Sequence, residues 1–251
     1  MMIDKVMDYA VNDDRVRWVV LTGSRTNPSL KPDAYQDYDI QFGVKDLESF
    51  LVSDDWLSVF SEVLIMQKPE AMSLFPPSLG GRFTYLMQFT DGTRLDLMLV
   101  PLDKEYPIEL NTQVLLDKDG LVDLTKADDT HISEVHVEDC MNEFLWLSFY
   151  VLKGIKRDQF IYTLDHLSGM RDMVFQMMAW KMTGNPGQSY KYMEYKLSVD
   201  IRDKIIESYN VDDRFASMML LFELMKWAVS DFDYDKKQFE CVRSTLMESM
   251  I

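Results

Sequence analysis

A change in hydrophobic periodicity near residue 135 constrains the fold of this chain more than any other feature. Before it, polar and apolar residues alternate in short runs such as "YQDYDIQFGV" (35–44) and "RLDLMLV" (94–100). After it, Met, Leu, Phe and Trp recur at helical spacing through long segments. We therefore expect an α+β fold, with a mixed sheet flanked by helices in residues 1–134 and an all-helical domain in residues 135–251.

Local patterns predict the elements of the first domain. Apolar residues at helical spacing predict an opening helix that ends near Asn12, and "VRWVVL" (16–21) predicts a strand. Ser53 is a candidate N-cap for a helix in "DDWLSVFSEVL" (54–64). Asp91-Gly92 joins two alternating runs, so a tight hairpin with antiparallel strands is expected there.

The second domain is predicted to consist of helices. Gly184-Asn185-Pro186-Gly187 is a clear break between two of them. The candidate helices are residues 137–157, 159–182, 199–209, 214–232 and 236–250. Many of the 19 methionines fall in this half, and at helical spacing they are expected to fill the core.

Charge and cysteine content narrow the class of protein. With 42 acidic and 26 basic residues the net charge is −16, which repels nucleic acid and attracts cationic partners. On charge alone, an equally simple interpretation is that it keeps a cytosolic protein in solution. Cys140 and Cys241 lie far apart, so we expect two buried free thiols and neither a disulfide nor a zinc site. Asp4 and Asp8 interrupt the apolar residues of the N-terminus, and no apolar run approaches membrane-spanning length. We therefore expect a cytoplasmic protein with no membrane partner.

Three aspartates form the most informative polar pattern. In a strand, residues two apart share a face, so Asp37 and Asp39 are expected to lie together. Asp96 alternates with Leu95 and Leu97 in another strand, and the three carboxylates converge if the two strands are neighbours. Like charges this close favour a hard divalent cation with oxygen ligands. A site for two Mg²⁺ ions that supports phosphoryl transfer is therefore predicted.

A phosphate site is expected beside these carboxylates. Gly23 and Ser24 end the preceding strand, where glycine lets the backbone approach a ligand and the serine hydroxyl donates to phosphate oxygens. Arg25 adds positive charge. Each feature alone also fits a structural interpretation: a strand-end turn, an exposed strand edge or a surface aspartate. Their combination favours the functional interpretation.

These residues carry a family resemblance. The Gly-Ser pair, the Asp-x-Asp motif and the later Asp96 resemble the signature of the DNA polymerase beta-like nucleotidyltransferase superfamily. More narrowly, "GSR", "QDYDI", "DDWL", "MQKPE", "LFPP" and "DLMLVPL", with "DKD", "CMNEF", "LDH", "AWK" and "YKYMEY", resemble the aminoglycoside 6-adenylyltransferases, which modify streptomycin. The resemblance covers nearly the whole chain, and such enzymes are expected to continue beyond the position of Ile251.

The resemblance implies a mechanism. ATP binds at the Gly-Ser turn and the metals, an aminoglycoside hydroxyl attacks the α-phosphorus, and pyrophosphate leaves. Asp37 and Asp39 bridge both metals, whereas Asp96 ligates the catalytic metal and is the candidate general base. The first domain is then a nucleotidyltransferase catalytic domain, and the helical domain closes over substrate and nucleotide.

Candidate ligands in the helical domain are expected to complete the two substrate sites. Lys181, Lys191 and Tyr192 are candidates for triphosphate binding, although a solvated helix face fits the lysines equally well. Asp165 and Glu143 are candidates for binding the cationic acceptor, since carboxylates pair with guanidinium groups. A buried Asp165-His166 pair within the core is the alternative for the first of these.

Three other functions remain open from the sequence alone. The same chemistry could act on another acceptor, such as a lincosamide or a protein hydroxyl. A catalytically silent nucleotide-binding module would keep the fold without turnover, but the intact aspartate triad speaks against it. Nucleic-acid polymerisation is disfavoured by the net charge of −16 and by the lack of a basic stripe.

Overall fold

The structure, a computed structural model, describes most of the chain. The described residues are 1–28, 30–104, 111–124, 132–185 and 193–250. The chain divides into two compact units, Met1–Asp128 and Asp129–Ile251. The roles assigned above to these two parts, catalysis and closure, stay predictions. Lys191 and Tyr192 lie outside the described residues.

The first unit is built on a six-stranded mixed sheet. Its strands are β1 (Val16–Thr22), β2 (Tyr38–Val44), β3 (Val63–Gln67), β4 (Phe83–Phe89), β5 (Arg94–Pro101) and β6 (Gln113–Asp117). They lie in the order β3-β4-β5-β2-β1-β6. Strands β2 and β5 are parallel, and the other neighbouring pairs are antiparallel. Helices α1 (Met2–Asn12) and α2 (Glu48–Leu51) accompany the sheet. The predicted α+β fold is confirmed.

Alternation along β5 separates a core face from a polar face. Leu95, Leu97 and Leu99 are fully buried in the core of this unit, whereas Asp96 and Met98 between them are partly exposed. Each buried leucine contributes about 2 kcal/mol by leaving water. Because a shift of one residue would bury Asp96 and expose the leucines, this face assignment is strongly determined.

The hairpin between β4 and β5 has the predicted form. Gly92 has a φ of +84°, which glycine adopts without steric cost. Its amide donates to the carbonyl of Phe89, and the Phe89 amide donates to the carbonyl of Thr93. This turn fixes the start of β5 at Arg94, two residues before Asp96.

The helix expected over residues 54–64 is wrong. A 3₁₀ turn covers Asp55–Val59, and the chain then enters the edge strand β3. The N-cap of this turn is Asp54, so the prediction of Ser53 as the cap is also wrong, although the Ser53 hydroxyl accepts a hydrogen bond from the Asp55 amide at 3.1 Å. Residues 63–67 instead pair with β4, so sheet pairing outweighs the local helical spacing.

The second unit is helical, as predicted. Its helices are α3 (Glu134–Lys156), α4 (Phe160–Thr183), α5 (Val199–Glu207), α6 (Arg214–Ala228) and α7 (Lys236–Glu248). Gly184 ends α4 in the left-handed conformation at φ +70°. Cys140 is buried, but Cys241 is exposed, which corrects the expectation of two buried thiols. Within the described ranges, no helix is both long and apolar enough to cross a membrane.

Candidate active site

Asp39 and Asp96 lie side by side on the polar face of the sheet. They are register partners on the parallel strands β2 and β5. Side chains of register partners point to the same face, and neighbouring strands are only about 4.8 Å apart. Both aspartates are partly exposed, so their carboxylates face a region that a ligand can reach. The strands therefore hold two acidic groups in a fixed relation.

Asp37 lies just outside the strand in which it was predicted. Strand β2 begins at Tyr38, because Asp37 precedes the ladder with β5. Its carboxylate nevertheless reaches the same region, with its Oδ2 atom 3.5 Å from Nε of Arg94. The three aspartates are thus brought to one end of one face, although only two of them belong to strands.

Arg94 is a cation within this acidic region. Its guanidinium binds Asp96 with two hydrogen bonds, Nε to Oδ1 at 2.9 Å and Nη2 to Oδ2 at 2.8 Å. Hydrogen bonding to Asp96 raises the pKa of Arg94 despite partial burial, and the charges of Asp37 and Asp39 add to the effect. One guanidinium therefore balances part of the charge of three carboxylates.

The Gly-Ser turn lies beside Asp39. Residues Gly23–Arg25 form a 3₁₀ turn directly after β1, and Gly23 has a φ of +75°. A Cβ on Gly23 would lie 2.0 Å from Oδ2 of Asp39. Only glycine fits here, both for its backbone conformation and for the room it leaves to the carboxylate.

Arg25 holds the turn against the segment before β2. Its Nε donates to the carbonyl of Asp37 at 2.9 Å, its Nη2 donates to the carbonyl of Gln36 at 2.7 Å, and its guanidinium stacks 3.7 Å from the Tyr38 ring. Gln36 in turn donates to the carbonyl of Ser24. Arg25 thus has a positioning role that the sequence did not indicate, and its contact with nucleotide stays a prediction.

The donor set suits a hard cation. Carboxylate oxygens are the ligands that Mg²⁺ prefers, and the glycine at position 23 makes space for one of them. In the described part of the chain, however, no group of three or more His, Cys, Asp and Glu side chains is gathered closely enough to hold a metal ion. Both oxygens of Asp96 accept from Arg94 instead. The chemistry fits Mg²⁺, and the metal assignments of the three aspartates stay predictions.

A pocket of about 380 Å³ adjoins these residues within the first unit. It is bordered by the segment before β2 and by the β4–β5 hairpin, and both Asp37 and Arg94 line it. Gln36, Gln88 and Thr93 add polar groups to its wall. The acidic region thus opens into a space that can receive a polar ligand or a side chain.

The candidates in the helical unit have other surroundings. Lys181 pairs with Asp231 at 2.5 Å and donates to the hydroxyl of Ser230 at 2.8 Å. Asp165 and Glu143 are exposed on α4 and α3, so the alternative of an Asp165-His166 pair buried in the core is wrong. His166 contacts the Tyr162 carbonyl through Nδ1 instead. The proposed roles of these residues in substrate binding stay predictions.

Comparison with known proteins identifies the family. Residues 1–242 match the family described as streptomycin adenylyltransferase. The chain belongs to this family. An aminoglycoside 6-adenylyltransferase of Bacillus subtilis (strain 168) is 40% identical over 228 residues, which cover 84% of this chain and 80% of that protein. One of Campylobacter jejuni is 35% identical over 254 residues, covering 92% and 88%.

A solved structure is also similar to the chain. The crystal structure of an aminoglycoside 6-adenyltransferase from Bacillus subtilis has 32% sequence identity and a TM-score of 0.46, covering 99% of this chain and 97% of that one. The family match over residues 1–242 and the curated relatives establish the chain as a nucleotidyltransferase.

Arg94 is a residue of the candidate site that sequence reasoning missed. Its signal was present, because a residue two positions before Asp96 in an alternating strand must share its face. Gln36 and Tyr38 were also missed. Their contacts with the turn depend on the path of the segment before β2, which no local pattern specifies.

Proposed function

We propose that this protein transfers AMP from ATP to a hydroxyl of an aminoglycoside, with streptomycin as the acceptor, and releases pyrophosphate. The observation that carries the proposal is the register of Asp39 against Asp96 on parallel strands, next to the glycine turn at the end of β1. The family match and the relatives named aminoglycoside 6-adenylyltransferase support the reaction class and the acceptor class.

The glycine turn binds the phosphates of ATP, and the three carboxylates bind the metal ions. Gly23 and Ser24 bind phosphate oxygens of ATP, because glycine allows close approach of the backbone and serine supplies a hydroxyl donor. Asp37, Asp39 and Asp96 would hold two Mg²⁺ ions, which supply charge neutralisation for the triphosphate. Orientation of the reacting groups and charge stabilisation account for most of the rate in such reactions.

In this proposal, Asp96 accepts the proton of the acceptor hydroxyl. The hydroxyl oxygen bonds to the α-phosphorus of ATP, the bond from that phosphorus to the pyrophosphate oxygen breaks, and the proton passes to the Asp96 carboxylate. The excess of acidic residues, with a net charge of −16, favours approach of a polycationic acceptor. Binding of the acceptor by Asp165 and Glu143 belongs to the same proposal.

The test is a product assay. The protein is incubated with ATP, Mg²⁺ and streptomycin, and pyrophosphate release is measured together with the mass of the drug. We expect pyrophosphate and a drug that carries one AMP group, and neither product with Asp96→Asn. Absence of product with streptomycin and with a panel of other aminoglycosides would contradict the proposal. Product with a lincosamide alone would transfer it to a different acceptor.

A further inference from the structure

The contacts of Arg94 oppose the binding of a metal ion at the same carboxylates. Both carboxylate oxygens of Asp96 accept hydrogen bonds from its guanidinium, at 2.8 and 2.9 Å. Nε of the same group is 3.5 Å from Oδ2 of Asp37. Each carboxylate oxygen keeps a further lone pair, but a divalent ion bound there would lie close to the positive guanidinium and would be repelled by it. The guanidinium and the metal therefore compete for the same acidic groups.

The side chain of Arg94 has space to move away from the carboxylates. It lies at the exposed end of β5, its side chain is 44% exposed, and it lines the pocket of about 380 Å³ beside the hairpin. Gln36, Gln88 and Asp91 also line this pocket, so a displaced guanidinium finds polar groups there. Because the backbone of β5 is fixed by pairing with β2 and β4, the exchange needs only a change of side-chain rotamers.

We propose that Arg94 is a resident counter-ion that competes with the divalent metal for Asp96 and Asp37 and turns into the neighbouring pocket when the metal binds. This inference rests on the proposed function in assuming that these aspartates ligate metal. Arg94 is thus a positioning residue. It holds the carboxylates together and raises the metal concentration that is needed to load the site.

The test measures metal binding without ATP or acceptor. Mn²⁺, which takes oxygen ligands as Mg²⁺ does, is titrated into the full chain and into Arg94→Gln, and free Mn²⁺ is followed by electron paramagnetic resonance. Loss of a partly exposed ion pair predicts that Arg94→Gln binds Mn²⁺ about fivefold more tightly than the original chain. Arg94→Lys keeps the charge without the paired hydrogen bonds, so its affinity should fall between the two.

The matched control is Arg17→Gln. Arg17 also binds one carboxylate, that of Asp119, through two nitrogens of its guanidinium. It lies five residues from Thr22, the partner of Asp39, about 16 Å along β1. Its removal should leave Mn²⁺ affinity unchanged.

Thermal unfolding gives a second measurement. In the presence of a chelator, Arg94→Gln should melt at a lower temperature than the original chain. Added Mn²⁺ should raise the melting temperature of Arg94→Gln more than it raises that of the original chain.

Two results would overturn the proposal. Unchanged or weaker Mn²⁺ binding by Arg94→Gln would show that the arginine supports the metal site or is unrelated to it. If neither the original chain nor Arg94→Gln binds Mn²⁺, there is no metal for Arg94 to compete with, and the proposal is wrong. The proposed function is judged separately, because formation of the AMP-modified drug is scored in the product assay and does not enter this titration.

Discussion

Two arginine–aspartate pairs in the sheet unit have the same spacing and different surroundings. Arg15 binds Asp13 two residues earlier, with Nη2 2.6 Å from Oδ2, and Arg94 binds Asp96 two residues later. Arg15 also donates to the carbonyl and hydroxyl of Ser49 and stacks on the Phe50 ring at 4.0 Å. In the described part of the chain, the ionic contacts of Arg94 are to Asp96 and Asp37.

These surroundings distinguish a structural ion pair, Arg15 with Asp13, from a pair in which a metal ion can take the place of the arginine, Arg94 with Asp96. The donors of Arg15 are divided among a carboxylate, a hydroxyl and a backbone carbonyl, and its guanidinium also stacks on a ring, so no single cation can replace it. Arg94 serves mainly to neutralise charge, and a metal ion can do the same. The surroundings of an ion pair therefore indicate more about its role than its spacing or its hydrogen-bond lengths do.

Asp39→Asn tests the acidic region most severely. It removes a proposed metal ligand, which is worth several kcal/mol, so kcat/KM for adenylyl transfer should fall by about a hundredfold or more. Its melting temperature should stay unchanged or rise, because like-charge repulsion with the neighbouring aspartates is reduced. Pyrophosphate release and calorimetry measure the two effects.

Asp13→Asn is the matched control for this change. It should lower the melting temperature and leave the kcat/KM of the folded protein near its original value, because Asp13 belongs to the structural pair. Retained turnover in Asp39→Asn, or lost turnover in folded Asp13→Asn, would reverse the comparison.

Gly23→Ala tests whether the turn must leave room for Asp39. The new Cβ would lie 2.0 Å from Oδ2 of Asp39, and alanine is strained at φ +75°. The clash must push the Asp39 carboxylate or the turn aside, and the backbone strain costs about 1–3 kcal/mol. Together these effects should lower kcat/KM about tenfold. Gly120→Ala is the control, because Gly120 has a φ of +67° and a Cβ added there would meet nothing within 4 Å. Equal losses of activity in both variants would attribute the effect to backbone strain alone.

Strand alternation explains why much of the sheet site was predictable. A period of two assigns Leu95 and Leu97 to the core and Asp96 to the opposite face without any knowledge of the partner strand. The pairing of Asp39 with Asp96 could be predicted only on the condition that β2 and β5 are neighbours. The two strands are distant in sequence, and only the complete sheet sets their register.

Helical spacing was less informative about function. It predicted the helices of the second unit, but it did not show that Lys181 of α4 pairs with Asp231, which lies in a turn after α6. Similarly, the contact between Arg94 and Asp37 depends on side-chain rotamers and on where β2 begins. Such long-range contacts require the folded chain.

The structural pair predicts a specific loss of stability in acid. Burial acts to raise the pKa of Asp13, but hydrogen bonds from Arg15 and Tyr9 outweigh it and lower the pKa to about 2 from 3.8. The lowered pKa stabilises the protein above pH 3.8, and this contribution is lost as the pH falls towards 2. Allowing for partial solvent exposure, we expect about 1 kcal/mol.

Unfolding by denaturant, measured from about pH 5 down to about pH 2 in steps of roughly 0.5 pH units, gives the size of this contribution. The difference in the free energy of unfolding between the original chain and Asp13→Asn should shrink as the pH falls through the window between the two pKa values. A difference that is independent of pH would show that Asp13 acts by packing and not by charge.

The smallest effect is expected at Lys181, whose partner lies in its own unit. If the ammonium group of Lys181 binds the triphosphate, its charge is already partly neutralised by the carboxylate of Asp231, which is 2.5 Å away. Lys181→Gln should therefore raise the KM for ATP only about threefold, the scale of one exposed ion pair. Lys226→Gln is the control, because Lys226 pairs with Glu240 at the same distance of 2.5 Å and was not a nucleotide candidate. Initial rates at varied ATP separate the two variants. An equal KM in both would leave Lys181 with a structural role, like that of Arg15.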